Sequence, residues 1–136
     1  MPTPRKPRAT CLCGCGREVF RPTYKFFSNK CQQEYGYKEF IGKWKAGLES
    51  GSKGSFGLVS GHIKRYLREK YDDRCSSCGW SKRHPITGKV PLEVDHINGD
   101  ASDNREENLR LLCPNCHSLT ENFRNLNKGH GRANRR

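Results

Sequence analysis

At 136 residues the chain is one ordinary domain or two small ones, and only 32% of it is hydrophobic, too little for a large apolar core. Lys and Arg number 26 against 14 Asp and Glu, and a net charge of +12 on so short a chain repels itself unless it meets a polyanion, which makes nucleic acid the leading partner. No run of about 18 apolar residues exists, so a membrane span is excluded, and no secretory signal is read at the basic, Pro-rich start.

Residues 1–10 (MPTPRKPRAT) read as a basic disordered arm carrying Arg5, Lys6 and Arg8. Residues 11–46 hold Cys11, Cys13, Cys15 and Cys31, then the aromatic stretch Tyr35, Tyr37, Phe40 and Trp44. All 8 Cys fall into two tight groups of four, which points to metal in a reducing compartment rather than to disulfides. The first group predicts a small zinc finger. Carrying Arg17, Arg21, Lys25 and Lys30, it either holds DNA by its phosphates or serves as a purely structural knob. Tyr37 and Trp44 either stack on a base or pack in the core. Residues 47–59 are dense in Gly and Ser and read as a linker.

Ser60 then predicts the N-cap of a helix with Ile63, Tyr66, Leu67 and Tyr71 at helical spacing, ending near Asp72–Asp73. Cys75-x2-Cys78 and Cys113-x2-Cys116 form two knuckles able to give four thiolates to one tetrahedral Zn²⁺, a closed and non-catalytic site. The 34 residues between the knuckles exceed what a minimal ribbon needs, so they contain structure of their own. Val90 to Ile97 alternates as a strand, Asn98-Gly99-Asp100 makes a turn, and a polar loop runs to Glu107. Asn108 to Leu112 reads as a second, antiparallel strand. Cys116 to Asn127 predicts a helix with Leu119, Phe123 and Leu126 on its inner face. The basic tail carries Lys128, Arg132, Arg135 and Arg136, read as a phosphate-contacting arm.

Three polar residues stand out against that frame. Asp95 and His96 end the first strand, and His117 follows the last Cys. If zinc draws the knuckles together, a carboxylate and an imidazole converge and can hold a hard or borderline cation with positions left open. The segments LEVDHINGD and ENLRLLCPNCHSLT, with Asp-His, Asn and Cys-x2-Cys-His in that order, resemble the HNH endonuclease family (the ββα-metal fold), most closely its zinc-braced phage and homing-type branch. The resemblance covers residues 60–130, leaving 131–136 as a tail. It implies a small, zinc-stabilised α+β fold: a hairpin–helix core preceded by a helix and a small N-terminal zinc finger. It also implies that His96 is the general base, that Asp95 and His117 hold the catalytic metal, and that Asn108 braces the hairpin loop and orients His96.

The implied reaction is hydrolysis of double-stranded DNA to a 5′-phosphate and a 3′-hydroxyl. A neutral imidazole near its ordinary pKa of ~6.5 can take a proton from water, and one divalent cation can neutralise phosphate charge. Mg²⁺ is the expected catalytic ion on abundance, with Mn²⁺, Ni²⁺ and Zn²⁺ as competitors, beside one or two structural Zn²⁺. Arg105 and Arg110 are both candidates for the scissile phosphate. A phage-encoded protein of this kind acts in the cytoplasm of the bacterial host, with phage packaging proteins as further candidate partners. The sequence leaves target and oligomeric state open. The competing reading from another class is a non-catalytic zinc-containing DNA-binding protein or a packaging accessory. Asp95, His96 and His117 together are what separate the two, since binding alone needs no base beside a cation.

Overall fold

The computed structural model describes residues 1–53, 58–123 and 126. Their order is α1 (Asn29–Lys45), β1 (Ser52–Lys53), β2 (Leu58–Val59), α2 (Gly61–Lys70), β3 (Glu93–His96), a 3-10 turn over Glu106–Asn108, β4 (Leu109–Leu112) and α3 (Pro114–Ser118). This is the α+β class expected from the sequence. It divides into two units, Met1–Gly42 and Lys43–Arg136. No helix among the described residues is long and apolar enough to cross a membrane.

The first unit folds around sulfur. The Val19 N–H donates to the Ala9 carbonyl at 3.0 Å and the Cys11 N–H to the Arg17 carbonyl at 2.7 Å, so the three cysteines of the Cys-x-Cys-x-Cys run sit on a tight return loop. Ser28 starts α1: its hydroxyl accepts from the Cys31 N–H at 3.2 Å, the N3 bond of an N-cap. The aromatic stretch is therefore helical, and Tyr37 in this unit and Trp44 in the second are each buried. Both are core residues, not base-stacking ones. Gly47 ends α1 at φ 78°, donating to the Trp44 carbonyl while Leu48 donates to that of Lys43, the paired bonds of a Schellman cap.

The second unit is built on α2 and the antiparallel β3–β4 pair. As the sequence predicts, the Ser60 hydroxyl caps α2 by accepting from the His62 N–H. Ile63 and Leu67, one turn apart, are wholly buried with Val90, Leu109, Leu111 and Leu112. Asp72 and Asp73, both in the left-handed region, end the helix where expected. The Arg68 guanidinium then bonds the Asp73 carboxylate at 3.0 Å and the Val90 carbonyl at 3.1 Å, tying α2 to the approach to β3.

Three elements differ from the sequence reading. β3 is four residues, not eight, because Pro91 has no N–H to give a ladder and the Leu92 N–H turns back to the Val90 carbonyl at 2.9 Å. The last helix, expected over Cys116–Asn127, runs instead from Pro114 to Ser118. Cys113 is its N-cap and Pro114 its first residue, while the Thr120 hydroxyl donates to the His117 carbonyl at 2.9 Å and closes it. Leu119 (84% exposed) and Leu126 (70%) are accordingly not core residues. The Gly/Ser segment carries the β1–β2 pair, register Ser52↔Val59, with Gly51 and Ser60 buried at its two ends.

Gly51 has φ +77°, and a Cβ there would press on the Ile63 side chain while lying 3.1 Å from Asn104 Cβ and 3.2 Å from Trp44 Nε1. Gly51→Ala is expected to destabilise the second unit by about 1–3 kcal/mol, combining backbone strain with overpacking. Urea denaturation measures it, and an unchanged midpoint would contradict this packing.

Candidate metal centres and catalytic site

Two cysteine clusters form as the sequence groups them. The four Sγ atoms of Cys75, Cys78, Cys113 and Cys116 lie within 4.8 Å of one another, as do those of Cys11, Cys13, Cys15 and Cys31. Tetrahedral zinc at the usual Zn–S length needs sulfurs about 3.8 Å apart, and Cys78 and Cys113 stand at 3.7 Å. The donor set therefore fits zinc. The local backbone is shaped for it too. Gly79 at φ 77° returns its N–H to the Cys75 carbonyl, and the Ser76 N–H donates to Leu111 of β4 at 2.8 Å, which fastens the first knuckle to the hairpin. Burial pushes the Cys75 thiol up, but backbone N–H groups of Cys113, Cys78 and Ser77 outweigh it and hold the group at about 6. Cys116 is pushed up to about 12 by the neighbouring Cys78 and Cys113 side chains.

In the first cluster the Arg17 backbone N–H and guanidinium lower Cys15 to about 6, and the Ser28 hydroxyl lowers Cys31. Arg17 also stacks over Phe27 at 4.3 Å. Its charge is thus turned towards the thiolates.

The second knuckle starts α3, and α3 carries His117 to the hairpin. His117 Nε2 lies 3.9 Å from Asp95 Oδ1. Two donors sharing one cation at about 2.1 Å each stand about 3–4 Å apart, so this oxygen and nitrogen fit one divalent ion. The other face of the ring is held: Nδ1 meets Glu93 Oε2 at 2.5 Å, and Phe123 packs edge-on with ring centroids 5.4 Å apart. Glu93 was not singled out from the sequence, although it lies two residues before Asp95 and so on the same face of β3. The second Asp95 oxygen, Oδ2, takes the Arg110 Nε–H at 2.6 Å from its cross-strand partner position. Asp95 is 6% exposed.

His96, next along β3, projects to the other side and does not share these contacts. Its Nε2 lies 2.7 Å from Asn104 Oδ1, and Asn104 is 2% exposed. Asn104 was missed in the sequence reading, where it sat in an undifferentiated polar loop. Asn108 is placed one contact further away. It accepts the Asn98 N–H at 3.0 Å and donates to Asn98 Oδ1 at 2.9 Å and the Asp103 carbonyl at 2.8 Å. It spans the hairpin loop, but the hydrogen bond that reaches His96 belongs to Asn104. Asn108→Ala would leave buried partners unpaired and is expected to cost about 2–3 kcal/mol. Denaturant midpoints measure this, and a loss below about 0.5 kcal/mol would contradict the bracing geometry.

The four DNA-contact candidates fall differently. Arg110 is committed to Asp95 as above. Arg105 is 67% exposed and forks onto both Asp103 oxygens at 2.8 Å, holding that carboxyl well below its usual range. Lys128 and Arg132, with the rest of the basic tail, lie outside the described residues. Arg74 to Leu92 carries Arg74, Lys82, Arg83 and Lys89 with no acidic residue, a basic stretch the sequence reading did not single out.

Residues 86–118 match the family model described as HNH endonuclease. The chain is 41% identical over 56 residues to H-N-H endonuclease F-TflIV of Escherichia phage T5, which covers 41% of this chain and 24% of that protein. It is 40% identical over 55 residues to Zorya protein ZorE of Escherichia coli, covering 40% of this chain and 14% of that protein. The chain thus spans less than a quarter of the length of either relative. No solved structure matches it. The resemblance read from Asp95-His96, Asn108 and Cys113-x2-Cys116-His117 is borne out: the chain carries an HNH-family segment, and the non-catalytic alternative is not favoured.

Proposed function

We propose that this chain, through its HNH segment, is a metal-dependent endonuclease that hydrolyses phosphodiester bonds of double-stranded DNA. The reading rests on one observation above the rest: Asp95 Oδ1 and His117 Nε2 face each other at 3.9 Å although 22 positions separate them, because a cysteine knuckle starts the helix that delivers His117. A binding protein has no use for such a pair beside His96. Asp95 and His117 would hold a divalent ion, which when bound neutralises charge on a phosphate oxygen and on the leaving 3′-oxygen.

The remaining work falls to the chain's own groups. His96 takes the proton of the attacking water as general base. Successive strand residues project to opposite sides, so His96 and Asp95 can address opposite sides of a phosphate laid over the end of β3. That suits an in-line displacement in which base and leaving group lie on opposite sides of phosphorus. Arg110 holds the Asp95 carboxylate in place, and Glu93 directs the Nε2 of His117 towards it. The net charge of +12, with the basic stretch from Arg74 to Leu92, supplies the attraction for a polyanion. The four-cysteine centres are structural and bind zinc, and Mg²⁺ is the catalytic ion. The products carry a 5′-phosphate and a 3′-hydroxyl.

Supercoiled plasmid incubated with the zinc-loaded chain tests this. Nicked or linear product is expected with Mg²⁺ or Mn²⁺, none with chelator, and binding that weakens steeply with salt. A chain that shifts plasmid on a gel but leaves it intact under every divalent ion would show a binding protein instead.

A further inference from the structure

We infer that Asn104, clamped by Ser52 and Trp44, is a positioning residue for His96, so that a segment upstream of the matched HNH residues completes the base site. The inference rests on the reading of His96 as general base. Three hydrogen bonds carry it. Asn104 Oδ1 faces His96 Nε2 at 2.7 Å, Asn104 Nδ2 donates to the Ser52 hydroxyl at 2.9 Å, and the Trp44 indole N–H donates to the Asn104 carbonyl at 2.7 Å. Asn104 is 2% exposed and Trp44 5%, so neither of these two has bulk water to fall back on.

The arrangement fixes the place of the carboxamide between the ring and Ser52. The carboxamide turns Nδ2 to the Ser52 hydroxyl and Oδ1 to the His96 ring. Its oxygen, set against the ring, only accepts, so the ring carries its hydrogen on Nε2. Nδ1 then keeps the lone pair that takes a proton from water. The clamp depends on the chain coming very close at Gly51, whose missing side chain lets Trp44 and Asn104 approach. The β1 register and the Ser60 N–H bond to the Gly51 carbonyl at 2.9 Å hold Ser52 in place. Residues 44–52 thus buttress the base, although they lie outside residues 86–118, where the family match falls.

The test uses the full zinc-loaded chain, with ¹⁵N chemical shifts of the His96 ring read in wild type, Asn104→Ala, Asn104→Asp and Ser52→Ala. Wild type is expected to show the Nε2–H tautomer. Asn104→Asp, which keeps an acceptor, should retain it. Asn104→Ala should give a mixture, and Ser52→Ala should move part of the way. For plasmid cleavage, kcat should fall about 10- to 100-fold in Asn104→Ala with KM within about twofold, and Asn104→Asp should recover most of the loss. Circular dichroism and zinc content, unchanged throughout, separate positioning from unfolding. A wild-type ring protonated on Nδ1, or ring shifts identical in wild type and Asn104→Ala, would overturn the inference. A chain whose ring shifts respond as expected but which cleaves nothing would overturn the endonuclease reading and leave the clamp standing.

Discussion

Replacing Cys113 with Ser is expected to unfold most of the Lys43–Arg136 unit. Cys113 does three jobs at once: it gives a thiolate to the cluster, its Sγ accepts the Cys116 N–H at 3.4 Å as the cap of α3, and its backbone follows directly on β4. Structural zinc in such sites contributes on the order of 10 kcal/mol to folding, as much as the whole stability of an ordinary domain. The apolar core left behind is only a handful of side chains around Ile63, Leu67 and the β4 leucines. Chelation should do the same to the wild-type chain. Far-UV circular dichroism should collapse, and emission from the buried Trp44 should shift to the red. A chain that keeps native dichroism and fluorescence after quantitative metal removal would contradict the structural role given to this cluster. Removing only the divalent ion proposed for Asp95 and His117 should leave both signals unchanged, because those residues are already held by Arg110 and Glu93.

His96→Ala should slow plasmid cleavage by about 10²- to 10⁴-fold, or about 3–5 kcal/mol of barrier, without weakening DNA binding. The ring is held by Asn104 and is no part of the thiolate cluster, so the variant should fold. Single-turnover cleavage beside a gel-shift titration separates the two effects. Cleavage within about threefold of wild type would remove His96 from the role of base, and cleavage lost in step with DNA affinity would make it a binding residue.

Much of this was readable from spacing. Cys-x2-Cys twice over brings thiolates together by short-range geometry alone: a knuckle's thiolates converge whatever the intervening chain does. The Ser60 cap and the Ile63/Leu67 stripe of α2 are equally local. The misses share a different cause. α3 stops at Ser118 because a threonine hydroxyl competes for the His117 carbonyl, a contest between two acceptable local structures that periodicity does not settle. Asn104 reaches His96 only because Trp44 and Ser52, 60 and 52 positions away, fold over it. The Gly-rich segment read as a linker owes its glycines partly to that close approach at Gly51. Glu93 alone was within reach of the sequence, through the two-residue repeat of a strand.

The central claim is that the cysteine clasp delivers His117 to Asp95 so that the pair holds a divalent ion. Titration of Mn²⁺ into the zinc-loaded chain, followed by electron paramagnetic resonance, measures that directly. Wild type should bind one Mn²⁺ per chain, and both Asp95→Ala and His117→Ala should lose that site while circular dichroism and zinc content stay as they were. Variants that bind Mn²⁺ with wild-type stoichiometry and affinity would show that this aspartate and this histidine do not share an ion, and the catalytic account built on them would fail.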